Sequence, residues 1–120
     1  MDIRLKRAYE VPARSDGPRV LVDRIWPRGV AKDDADIAHW LKGLAPSTEL
    51  RKWFGHDPDK WSEFRERYLS ELASEDAVED LEKLKNLVEE HNRITLVFAA
   101  KDTEHNNAVA LRDFILDNRL

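Results

Sequence analysis

The sequence predicts a small α/β protein: a three-layer, Rossmann-like sandwich around a mostly parallel sheet of about four strands. Three observations predict it. Val20-Leu21-Val22 and the stretch from Ile94 to Ala100 are continuous, largely apolar runs, the pattern of strands buried on both faces. Between them, aromatic and aliphatic residues recur at helical spacing. The second run is followed by a short loop and one more helical stripe, the closing half of a βαβ unit with the usual right-handed crossover.

The elements follow in order. Ile3 to Tyr9 alternates apolar with basic residues and reads as a strand with one wet face, at a sheet edge. Asp16-Gly17-Pro18 is turn chemistry. Arg19 to Arg24 is the second strand. Pro27 forces Trp26 out of the helical region, and Gly29 permits a positive φ just beyond. Asp33-Asp34-Ala35-Asp36 opens a short helical turn, and Ile37 to Leu41 is read as a short third strand. Ser47 is an N-cap for a helix that carries Leu50, Trp53 and Phe54 inward and stops at Gly55. Glu49 lies one position short of a capping-box partner. Pro58 takes the favoured first position of the next helix, on which Trp61, Phe64, Tyr68 and Leu72 share a face. Val78, Leu81, Leu84 and Val88 form the stripe of a helix ending near Glu90. Ile94 to Ala100 is the last strand. A final helix spans Glu104 to Asp117, with Val109, Leu111, Phe114 and Ile115 inward.

A chain of 120 residues makes one domain, residues 1–120, able to bury roughly 65–70% of its unfolded surface. It has no cysteine, so disulfides, thiolate metal sites and cysteine nucleophiles are excluded. The N-terminus is charged and lacks the apolar core of a signal peptide. The longest apolar stretch falls far short of the roughly 20 residues of a membrane helix. A cytoplasmic protein without membrane association is therefore expected. The net charge of −4 is uneven, with a slightly basic first half and an acidic segment at 61–93. That balance argues against general nucleic-acid binding and confines any basic surface to a local patch.

Ligands of open α/β sheets bind beyond the carboxyl ends of the strands. Two polar segments arrive there: Arg24-Ile25-Trp26-Pro27-Arg28-Gly29 after the second strand, and Lys101 to Asn107 after the last. Arginine matches phosphate or carboxylate oxygens in pairs, and a helix start adds partial positive charge. Arg24, Trp26, Arg28, Lys101 and Asn106 are thus the candidate ligand-binding residues for an anionic, phosphate-bearing small molecule. The alternative reading makes Arg24 and Arg28 internal ion-pair partners of Asp23, Asp33 or Asp36, and Trp26 a core plug. His105 is the candidate acid/base, since imidazole titrates near neutrality, or alternatively a helix cap. His39, His56 and His91 show no metal-ligand spacing, and no metal or cofactor is assigned. His56, beside Asp57, reads as a capping or core-edge residue. No Gly-x-Ser-x-Gly elbow surrounds Ser47. The rival reading is a non-enzymatic module whose aromatic and basic rim contacts nucleic acid or protein.

Further blocks accompany these: Ala45-Pro46-Ser47-Thr48-Glu49-Leu50-Arg51-Lys52-Trp53-Phe54, Phe64 to Leu72, and Ala99-Ala100-Lys101-Asp102 before His105-Asn106. In this order, with Val20 to Gly29, the chain resembles the YeaO-like branch of the uncharacterised bacterial family domain of unknown function 488, over nearly its whole length. The resemblance implies a small Rossmann-like, single-domain cytoplasmic protein and names no reaction. The broader family often carries a Cys-His-Arg triplet after the last strand. This chain has His105-Asn106-Asn107 there, so chemistry needing that thiol is not expected. The branch usually has a second histidine where Asn107 stands.

Overall fold

The computed structural model describes residues 2–117. Four strands form one sheet: β1 (Asp2–Arg7), β2 (Arg19–Leu21), β3 (His39–Trp40) and β4 (Arg93–Phe98). Their spatial order is β1-β4-β2-β3, and every pairing is parallel. The last strand therefore lies inside the sheet, with Leu96 between Leu5 and Val20. This explains its continuous apolar run: Ile94 to Phe98 are all buried. β1 is an edge, as its alternating charges predict.

The two faces are covered unequally. Ile3, Val20, Ile94, Leu96 and Phe98 meet the longer helices: α2 (Thr48–Phe54), α3 (Trp61–Leu72), α4 (Val78–Glu90) and α5 (Asn107–Leu116). Phe54 and Phe64 stack there with centroids 4.2 Å apart. Burying a side chain of that size stabilises by about 1.5–3 kcal/mol. On the other face, Leu21 and Val97 pack with Ala8, Trp26, Ile37 and Trp40. That side also holds α1 (Lys32–Ala35), whose Ala35 carbonyl accepts a hydrogen bond from buried Arg19 at 2.9 Å. The element after β2 thus lies on one face and the helix after β4 on the other, which opens a crevice between neighbouring strand ends.

Several boundaries differ from expectation for local reasons. β1 gives way to a turn at Ala8 and Tyr9. β2 ends at Leu21 rather than Arg24, because the Asp23 side chain, not a backbone carbonyl, accepts the Ala99 N–H at 2.9 Å. The third strand shrinks to His39–Trp40. Pro58 opens a 3-10 turn, Pro58–Lys60, before α3 proper. On α4 the inward face is centred on Leu84 and Leu87, and Val78 is exposed. The final helix begins at Asn107 rather than Glu104. The Asp102 carboxylate takes the N–H groups of Glu104 and His105, and Asn106 caps the helix by accepting from Val109 N. Ser47 caps α2 as predicted, accepting from Leu50 N at 3.1 Å. The carboxylate missing from its capping box comes from α3, where Glu71 accepts from both Ser47 N and Ser47 Oγ.

Candidate functional site

A cavity of about 740 Å³ lies beyond the carboxyl ends of β1, β2 and β4. Its walls come from the loop after β2, the end of α2 and the loop leading into α5. Arg24, Trp26, Arg28, Lys101 and Asn106 all line it. His105 is not among the lining residues. Its Nδ1 lies 2.9 Å from Asp102 Oδ2, and its ring packs edge-on against Trp61 at 5.4 Å. Hydrogen bonds from the Glu104 backbone, the His105 side chain and the His105 backbone outweigh desolvation and hold the Asp102 carboxyl below its usual range.

The arginines do not make the ion pairs that the sequence left open. Among the described residues, Arg24, Arg28, Arg51 and Lys101 form no salt bridge with any carboxylate. Arg24 Nε and Nη2 instead reach the carbonyls of Pro46 and Ala45, at 3.3 and 3.4 Å. Arg28 is exposed, and its carbonyl accepts the Tyr9 hydroxyl at 3.1 Å. Gly29, at φ +78, supplies the left-handed turn that lets the loop double back. Trp26 serves both readings: its indole N–H donates to Val30 O at 2.7 Å, its ring meets Trp40 edge-on at 5.5 Å, and it still lines the cavity. Both ends of the Asn106 amide are occupied, by Val109 N and by the Asp102 carbonyl.

The acid at the centre of the site is Asp23. It is half-buried, and burial pushes its carboxyl above the usual range. Hydrogen bonds from Asn107 and Ala99 N, and the charges of His56 and Arg51, act in the opposite direction. Asn107 Nδ2 donates at 3.0 Å to Asp23 Oδ1 and, at the same distance, to the Val22 carbonyl. One carboxylate thereby joins the ends of β2 and β4 to the start of α5. Arg7 braces the same exit by donating to the carbonyls of Ala99 and Ala100. His56 lines the cavity with φ +58, a left-handed conformation directly after Gly55.

Asp23, Arg51, His56 and Asn107 were not singled out as site residues from the sequence. Asn107 did lie in the polar segment after the last strand, and Asp23 carried a signal as a carboxylate directly after an apolar strand. Arg51 and His56 enter the site because α2 ends at the crevice, a tertiary fact. No three His, Asp or Glu side chains gather as metal ligands would among the described residues. No described helix is long and apolar enough to cross a membrane.

Comparison with known proteins bears on this arrangement. Residues 2–119 match the family model DUF488-N3i, described as the inactive DUF488-N3 subclade. The uncharacterised protein YeaO of Escherichia coli (strain K12) is 41% identical over 115 residues, covering 96% of this chain and 97% of that protein. The uncharacterised protein Rv3073c of Mycobacterium tuberculosis (strain H37Rv) is 40% identical over 113 residues, covering 94% and 92%. No solved structure matches the chain significantly.

Proposed function

This chain belongs to the DUF488-N3i family, and we propose that its cavity binds a small anionic molecule, such as a phosphate-bearing metabolite, without turning it over. One observation carries the reading: Arg24, Arg28, Arg51 and Lys101 line one cavity at the strand ends and have no acidic partner among the described residues. Only Asp23 and Asp102 oppose them there, and Asp102 is paired with His105. Convergent basic side chains in a concave, partly apolar site favour an anion over water.

Binding without turnover rests on two supports. The family is described as an inactive subclade. His105, the candidate proton-transfer residue, is held by Asp102 and packed on Trp61 away from the cavity lining. In this reading His105 latches the loop before α5, and Asn106 caps the helix rather than touching ligand.

Thermal shift and calorimetry against a panel of phosphorylated and carboxylated metabolites test the reading. The expected result is stabilisation by at least one anion, lost in Arg28→Ala/Lys101→Ala, with the ligand recovered intact by NMR. Failure of every anion to stabilise, or equal shifts in the variant, would sink the site. Consumption of the ligand would overturn the absence of turnover.

A further inference from the structure

The cavity has features that a bare anion leaves unused. Its volume of about 740 Å³ lies in the middle of the roughly 300–1,000 Å³ typical of sites that enclose whole small molecules. Phosphate alone would leave most of it empty. Aromatic side chains reach it from both faces of the sheet: Phe54 and Phe64 from the helical core, Trp26 from the opposite cluster. Flat rings suit such walls, through stacked or edge contacts, better than polyols do.

Asp23 adds the second chemical demand. An ionised carboxylate offers roughly four acceptor positions. Each Asp23 oxygen takes a single described N–H, Oδ2 from Ala99 and Oδ1 from Asn107. A half-buried acid with acceptor capacity left, inside a cavity that four cationic side chains also line, selects a ligand that carries donors as well as negative charge. Arg28 and Lys101 are exposed, whereas Asp23 is half-buried, so the two demands fall at different depths.

We propose that the cavity takes a mononucleotide-type ligand: a flat nitrogen heterocycle whose N–H groups donate to Asp23, carrying a phosphate that meets Arg28 and Lys101. This rests on the anion-binding reading and adds the ring to it. The apolar walls enclose the heterocycle, and Asp23 favours it over ring-less phosphates because only the ring brings donors to its remaining acceptor positions.

The test is a truncation series on the full-length wild-type protein by calorimetry: AMP, GMP, CMP and UMP against ribose 5-phosphate and the free nucleosides. At least one nucleotide should bind about tenfold or more tightly than ribose 5-phosphate, and more tightly than its own nucleoside. Asp23→Ala should abolish the gain from the base, so that no nucleotide binds this variant more than about twofold more tightly than ribose 5-phosphate does. Because Asp23 also holds Ala99 and Asn107, the ligand-free melt of the variant is measured first. If it does not fold, the wild-type series decides alone. Ribose 5-phosphate binding as tightly as every nucleotide would overturn the ring proposal and leave the anion site standing. No binding by any phosphate would overturn both.

Discussion

Asn107 ties the two halves of the cavity rim together through Asp23, donating one side-chain amide to Asp23 Oδ1 and to the Val22 carbonyl, each at 3.0 Å. Asn107→Ala leaves a half-buried carboxylate short of a donor and should destabilise the protein by about 1–3 kcal/mol in urea unfolding at neutral pH. It should also move the Asp23 carboxyl further upward, followed by carbon-detected NMR titration. An unchanged Asp23 titration would mean that the contact is not kept in solution.

The same acid has a pH signature. Its folded pKa is raised, so the native state binds the proton more tightly than the unfolded chain does. Its ionisation therefore weakens stability above the raised value, and that penalty disappears as pH falls toward about 3.8. Asp16 runs the other way. Burial works to raise it, but hydrogen bonds from Ala13 N, Arg19 and Lys6 prevail and hold it low. Its contribution is present above about 3.8 and lost as pH falls through the lowered value. Asp23→Asn should flatten the first slope and Asp16→Asn the second, in melts recorded across the acid range.

Arg19 is almost fully buried, with one nitrogen on Asp16 at 2.8 Å, one on Ala35 O at 2.9 Å and Nη2 without a partner among the described residues. Arg19→Ala strands the buried Asp16 carboxylate with only Lys6 as a charged partner, and should cost about 3–5 kcal/mol. Arg19→Met keeps the packing and removes the orphan donor, so it should cost less. Equal losses in the two variants would assign the effect to the lost charge pair with Asp16 rather than to volume.

Two glycines separate conformation from crowding. A Cβ at Gly17 would fall 2.2 Å from the Arg93 carbonyl oxygen, at φ +64. At Gly29 the φ is +78, but nothing lies within 4 Å. Gly29→Ala should therefore cost about 1–2 kcal/mol from backbone strain alone. Gly17→Ala should cost about 3 kcal/mol or more, because the backbone of the β4 start must shift. Chemical denaturation of the two variants side by side checks the difference.

Ser47 and Glu71 form a helix cap shared between two helices, with Glu71 accepting at 2.7 and 2.6 Å. Ser47→Ala should cost about 1 kcal/mol for the cap. A double-mutant cycle with Glu71→Ala should show a coupling of about 0.5 kcal/mol or more. Additive losses would separate the two roles.

Much of the fold was legible because it is written in short-range pattern. The β-branched run at Ile94 fits only a strand covered on both sides, and the Trp61-Phe64-Tyr68-Leu72 spacing fits only a helix face. Ser47 declared its cap in the same local way. What failed to show was long-range compensation. Glu71 completes a cap 24 residues away, Asp102 delays the last helix by taking the N–H groups of Glu104 and His105, and Arg19 looks like a solvent charge until Asp16 buries with it. The basic lining of the cavity was visible in Arg24, Arg28 and Lys101. The contacts of its acid were not, because the position of Asp23 against Asn107 and Ala99 exists only after β4 slides between β1 and β2.

That insertion has a consequence for synthesis. β1 pairs only with β4, and Asp2 meets Arg93 across 91 residues of chain. No two strands among β1, β2 and β4 can pair until the ribosome has made β4. The first 90 residues must wait as an unsealed collection of helices and unpaired strand edges. Completion of β4 then closes the sheet from its centre outward, so nascent-chain arrest just before residue 93 should leave β1 and β2 unjoined.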